Sequence, residues 1–116
     1  MHGYLSSFAL LAAAALLATG CNPLEEPREA PLAQLVALQD DHDGRTVITE
    51  GEVKTFEEPR HYWIEDDRLN RVGLVPDEAA REHLGQRVRI TGRFHYSAET
   101  GRRIEVEEIS ALPSDE

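Results

Sequence analysis

The sequence predicts an all-β domain with one short helix: five strands wrapped into a small barrel, set behind an apolar leader and an acidic tether. Three observations predict it. From Arg45 onward, apolar and polar residues alternate with a period of two in several runs, and that pattern gives a strand one dry face and one wet face. Loops rich in Gly, Pro, Asp and Ser separate those runs, with a single helical stretch after the third. Ahead of them lie an uncharged apolar run and a proline-rich acidic stretch, neither of which suits a folded core.

The leader comes first. From Tyr4 to Ala18 nearly every residue is apolar or small and none is charged. A transmembrane helix needs about 20 such residues. This shorter run suits the apolar region of an export signal, so residues 1–20 read as a signal peptide. The run ends at Ala18-Thr19-Gly20-Cys21, and Cys21 is the only cysteine in the chain. These residues resemble the lipobox of bacterial lipoproteins. Two details depart from the usual pattern: no Lys or Arg precedes the run, and Ala18 stands where a larger aliphatic is commoner. The resemblance implies that the Cys21 thiol carries a diacylglycerol with fatty acyl chains such as palmitate, that its amine becomes the new N-terminus, and that the membrane is thus a partner. Two acyl chains on one residue make a stable anchor, because each buried CH₂ contributes about 0.8 kcal/mol. Asn22 is not the aspartate that, in such lipoproteins, favours inner-membrane retention. The implied address is therefore the periplasmic face of the outer membrane. In that oxidising compartment the domain has no cysteine left for a disulfide.

The next segment, residues 21–44, reads as an acidic tether with a short helix. Cys21 to Pro31 holds three prolines and three glutamates and has no period. Pro31 can start a helix with Leu32, Leu35 and Val36 on one face, and packing against the barrel is favoured over docking a partner. Gln39 to Gly44 opens a partial match to the calcium-loop pattern: Asp41, Asp43, Gly44 and Glu50 fall at the third, fifth, sixth and twelfth positions. Gln39 stands where the first aspartate belongs and a strand follows, so a solvated turn is the better reading and no metal is expected. The whole chain carries a net charge of −10, which repels phosphate backbones and makes nucleic acid an unlikely partner.

The folded domain spans residues 45–112, with 113–116 as a tail. Thr46 to Phe56 puts Val47, Gly51 and Val53 on one face and Glu50, Glu52 and Lys54 on the other. His61 to Glu65 turns Tyr62 and Ile64 one way and His61 and Trp63 the other. Arg71 to Val75 turns Val72 and Leu74 inward. Pro76 to Gly85 follows as a helix, capped by Asp77, with Glu78 near its positive end and Gly85 as its stop. Arg87 to Tyr96 alternates cleanly, with Val88, Ile90, Gly92, Phe94 and Tyr96 inward. Ser97 to Gly101 is a hairpin loop whose glycine can take positive φ. Arg102 to Ile109 turns Ile104 and Val106 inward, and Ile109 joins the predicted core. Gly51 and Gly92 fall mid-strand, where a small barrel bends sharply.

Three strands, a helix and two strands is the order of the OB-fold, a five-stranded Greek-key barrel. Four stretches carry a resemblance to bacterial OB-fold domains, the exported BOF family included: Gly51-Glu52-Val53, Tyr62 to Asp67, Leu84 to Gly92, and Ile104 to Ile109. The resemblance implies barrel geometry and leaves the ligand open. OB-folds generally bind through the face of strands two and three and the adjoining loops. In this chain that region holds the candidate ligand-binding residues Arg60, His61, Trp63, Arg68 and Arg71. An outward Trp63 among arginines can stack on a base, a sugar or an apolar side chain, or it can lie under the tether or the Pro31 helix.

No catalytic set or cofactor site is legible. There is no metal-spaced histidine pair, nucleophile elbow or phosphate loop, and His61, His83 and His95 fall on different elements. Asp66 and Asp67 sit in a turn, where such pairs bond the local backbone. Arg87, Arg89 and Arg93 form a stripe opposite Glu50, Glu52, Glu105 and Glu107, for which cross-strand ion pairing is the favoured reading. The sequence thus points to a non-enzymatic, tethered binding module for a protein or envelope component, with single-stranded nucleic acid or oligosaccharide as the alternative ligand.

Overall fold

A computed structural model of the chain describes residues 26–113. The expected signal peptide, the acylation site at Cys21 and residues 114–116 lie outside the described residues. In chain order the elements are β1 (Arg28–Glu29), α1 (Leu32–Ala37), α2 (Gln39–His42), β2 (Thr46–Glu57), β3 (Arg60–Glu65), β4 (Arg71–Val75), α3 (Asp77–Arg81), β5 (Arg87–Ser97) and β6 (Gly101–Ala111).

The strands form one sheet in the order β1-β2-β3-β4-β6-β5, and a further β2–β5 pairing closes it partly into a ring. Closure works because β2 is long enough to serve two neighbours. Its first half, Thr46 to Glu52, pairs antiparallel with β5, and its second half, Glu52 to Glu57, pairs antiparallel with β3. The ring is completed by a short parallel contact between β4 and β6, at Gly73–Arg103, Leu74–Ile104 and Val75–Glu105.

The alternation decides what fills the centre. Val47, Val53, Tyr62, Ile64, Val72, Leu74, Val88, Ile90, Phe94 and Ile104 are all buried, each on the face its strand pattern predicts. Val106 and Ile109 are partly buried and pack against that core. Their unequal spacing has a cause. Thr91 pairs with Glu108 but Gly92 pairs with Val106, so Glu107 is an extra residue in β6. This β-bulge shifts the phase by one and lets Ile104, Val106 and Ile109 share a face despite their even and odd numbers. Replacing fully buried Ile90 with alanine is expected to cost about 2–5 kcal/mol in a urea melt. A wild-type midpoint would refute the inward facing of β5.

Three expectations are corrected. The five-strand count misses β1, whose Arg28 and Glu29 pair in parallel with Val47 and Ile48. Leu32 and Leu35 of the α1 that follows are 1% and 0% exposed, packed against the barrel as their spacing favours. Gln39 to Gly44 is likewise built into the barrel. The Gln39 side chain accepts from Arg102 Nη1 at 2.7 Å, Asp43 Oδ1 accepts from the Tyr96 amide at 2.9 Å, and the Gly44 amide donates to Phe94 O at 2.8 Å. Finally, the helix after β4 is only Asp77–Arg81. Pro76 holds its N-cap position and no side chain caps it, because Asp77 is already the first helical residue. Gly85 does end the following turn, at φ +84°.

Candidate functional site

An aromatic ladder covers the outer face of β2, β3 and β4. Because Tyr62 and Ile64 point into the core, the same pleat turns His61, Trp63 and Glu65 outward. The register brings Phe56 opposite His61 and Lys54 opposite Trp63 on β2, with Gly73 opposite Trp63 and Arg71 opposite Glu65 on β4. The Phe56 and His61 rings lie 5.9 Å apart, and the His61 and Trp63 rings 5.2 Å apart. The Arg71 guanidinium sits 5.3 Å from the Trp63 ring centre, within cation–π range. Phe56 is 53% exposed, so the ladder presents an apolar edge to solvent.

Glu65 holds the ladder in place. It is only 8% exposed, although it lies on the outer face. Its Oε1 accepts from Trp63 Nε1 at 3.0 Å and from Arg71 Nε at 2.8 Å, and Lys54 Nζ lies 3.7 Å from Oε2. The indole hydrogen bond is the strongest influence on this carboxyl. Burial opposes ionisation, but the indole and the two cations together leave the Glu65 pKa below its ordinary 4.5. A depressed carboxylate stabilises the fold above its unfolded pKa, and that stabilisation is lost as the pH falls through the lower folded value. Glu65→Gln is therefore expected to flatten the acid limb of a melting-temperature profile below about pH 4.5 relative to wild type. An unchanged acid limb would show that Glu65 carries no such linkage.

The neighbouring groups are partly committed. His61 Nδ1 donates to Pro59 O at 2.8 Å, which leaves Nε2 as the acceptor of the neutral ring. Arg60 pairs with Glu57 at 3.2 Å between two exposed side chains, an arrangement that contributes little to stability. Three of the five sequence candidates, His61, Trp63 and Arg71, thus meet on this face, while Arg60 has the parity of Tyr62 and lies at the start of β3 against Glu57. Arg68 does not join them. It lies in the β3–β4 turn, where its amide donates to Asp66 Oδ1 at 2.9 Å, and its side chain lines a separate cleft. Sequence reasoning missed Phe56, Lys54 and Glu65. Strand parity carries the signal for all three, since Lys54 and Phe56 continue the outer row of β2 and Glu65 that of β3.

The arginine stripe of β5 is paired, as its sequence pattern favours. Arg89 contacts Glu50 at 2.8 Å and Glu29 at 2.7 Å, Arg87 approaches Glu50 at 3.8 Å, and Arg93 Nη1 donates to Gly44 O at 2.7 Å. Among the described residues, no group of three or more His, Cys, Asp or Glu side chains could hold a metal ion, and no helix is long and apolar enough to cross a membrane. What the site can do chemically is stack and pair: it offers flat π faces and a guanidinium, with the indole N–H already satisfied.

No family model and no curated protein matches this chain. Among solved structures, it resembles that of a protein assigned as an aspartyl-tRNA synthetase from Leishmania major Friedlin, with a TM-score of 0.55 and 13% identity. The match covers 89% of this chain and 24% of that one, so the likeness is one of fold to a part of a much longer protein.

Proposed function

We propose that this chain is a non-enzymatic binding module, an OB-fold barrel anchored by acylated Cys21 at the periplasmic face of the outer membrane, which engages a protein or envelope component through its aromatic ladder. The observation that carries this reading is the row of tilted rings Phe56–His61–Trp63, exposed at Phe56 and His61 and half-buried at Trp63, with Arg71 over the indole. Exposed aromatics ordered by a buried carboxylate suit recognition, because a pre-set contact surface loses less entropy on binding. The OB-fold reading is supported by the strand order β2-β3-β4-β6-β5, partly closed by the β2–β5 pairing, and by the place of α3 between β4 and β5. The anchor reading is supported by the sequence around Cys21. Seven positions separate Cys21 from Arg28, where β1 begins, and no chain of that length reaches further than about 25 Å. The ladder would then work close to the membrane.

Affinity capture from detergent-solubilised envelope, with wild type and Trp63→Ala side by side, tests the reading. Wild type is expected to retain a specific component that Trp63→Ala loses by about tenfold or more, since central interface tryptophans commonly contribute 2 kcal/mol or more. Equal recoveries would remove the ladder from the site. Stacking aromatics also fit single-stranded nucleic acid or an oligosaccharide. For nucleic acid, the net charge of −10 predicts no anisotropy change with a labelled oligothymidine at low salt.

A further inference from the structure

β5 outlasts β2 at one end of the barrel. The ladder between them ends where Thr46 meets Arg93, whereas β5 runs on to Ser97. Along a strand, alternate residues direct their N–H and C=O to the same side, so Phe94 and Tyr96 direct theirs to the side that β2 has left. Residues 43–45 stand in for the missing strand. The Phe94 amide donates to Arg45 O at 2.9 Å, the Gly44 amide donates to Phe94 O at 2.8 Å, and the Tyr96 amide donates to Asp43 Oδ1 at 2.9 Å. The bond from Arg102 of β6 to Gln39 holds the other end of the segment. Without residues 39–45, this edge of β5 would face water.

His42 lies at the centre of that segment. Its amide donates to Leu38 O at 3.3 Å, and its carbonyl accepts from the Arg45 amide at 3.0 Å. The residue is 6% exposed, and its Nδ1 has no hydrogen-bond partner among the described residues. A neutral imidazole tolerates this, because one of its nitrogens is a bare acceptor. A protonated ring carries hydrogen on both nitrogens, and a buried charged N–H without an acceptor is strongly unfavourable. The surrounding charges act in the same direction. Arg28 of β1 and Arg45 repel a positive ring, and Asp41 on α2 itself offsets them in part. Asp43 is committed to the Tyr96 amide. On β5, Arg93 bonds Gly44 O and His95 is turned to Glu105, while α1 carries no ionisable side chain. Burial first, and then the two arginines, hold the His42 pKa below its ordinary 6.5.

We infer that residues 39–45 are a latch that acid releases: when His42 takes up a proton, its ring leaves the barrel for water and the Phe94–Tyr96 edge of β5 is uncovered. Gly44 is the hinge, at φ +85° with nothing within 4 Å of an added β-carbon. The open form binds the proton at the ordinary value and the closed form only below it. The latch is therefore fully held above about pH 6.5 and weakens as the pH falls towards the lower closed value. One proton can raise the open population by at most about thirtyfold between about pH 7.5 and pH 5. Glu65, whose pKa lies below 4.5, stays ionised over that range. The device does not depend on what the aromatic ladder binds.

Amide hydrogen exchange on the ¹⁵N-labelled full chain tests it, read as protection factors at about pH 7.5 and about pH 5. In wild type, Phe94 and Tyr96 are expected to lose about threefold to thirtyfold in protection on acidification. At the lower pH they should be at least about tenfold less protected than Ile90, which lies in the closed ladder opposite Thr49. In His42→Asn, the protection of Phe94 and Tyr96 should change by less than about twofold. Exchange at Phe94 and Tyr96 no faster than at Ile90 would mean that they open only with the whole domain, and the latch would not exist. An equal fall in His42→Asn overturns the inference as well. A second reading needs no variant: the His42 Cε1 proton should titrate below the ordinary 6.5, and a midpoint at or above it overturns the inference.

Discussion

Replacing Leu32 and Leu35 together by alanine is expected to unfold the domain, although both residues belong to a segment that reads as a tether. Each is essentially without solvent exposure. Leu32 Cδ1 would stand 3.0 Å from a β-carbon placed on Gly51, so the side chain lies directly against β2 at that glycine. A buried Leu→Ala change costs about 2–5 kcal/mol, and two of them about 4–10 kcal/mol when additive. A domain of this size has a total stability of about 5–15 kcal/mol. Circular dichroism at 25 °C should show the double variant largely unfolded, while Gln34→Ala, on the exposed face of the same helix, should melt like wild type. A double variant melting within a few degrees of wild type would mean that α1 rests on the barrel without holding it. The expected result assigns residues 28–44 to the fold, with the Arg89–Glu29 contact at 2.7 Å and the Arg102–Gln39 bond at 2.7 Å tying β1 and α2 to the ring.

The same segment shows where sequence patterns stop being readable. Ten core positions of the long strands were legible because each repeats a period of two over enough residues to set its face, and Gly101, at φ +75°, was legible as a hairpin terminus. β1 was not legible, since two residues between prolines have no period, and only the register with Val47 and Ile48 makes them a strand. The Glu107 bulge was hidden for the opposite reason: an inserted residue changes phase within a run that still alternates locally. In the candidate site, outward Trp63 followed from parity. The burial of Glu65 did not, because a carboxylate on the wet face becomes enclosed only when Trp63, Arg71 and Lys54 converge on it from three strands. Arg68 joins these residues in the sequence reading as part of a loop adjoining the strands of the face, whereas the β3–β4 turn carries its side chain to the cleft.

Gly92→Ala is expected to be among the most damaging single substitutions in the barrel, and the reason is spatial, since Gly92 is not among the residues with positive φ. Gly92 pairs with Val47 on one side and Val106 on the other, so β5 is enclosed between two ladders at that point. A methyl group there would fall on the carbonyl oxygen of Glu105 and lie 2.6 Å from Ile104 Cγ2. The oxygen is backbone, held by the bulge, and cannot swing away as the end of a flexible side chain can. Relief requires opening either the β5–β6 or the β2–β5 ladder, and those are the pairings that close the ring. Overpacking of this kind costs about 3 kcal/mol or more, which lowers the melting temperature of a domain this size by about 12 °C or more. Gly101→Ala is the discriminating comparison. Gly101 has φ +75° and nothing within 4 Å of its added methyl, so its penalty is the left-handed backbone alone, about 1–2 kcal/mol. If the two variants melt at the same temperature, close approach at the bulge is not what requires glycine at position 92.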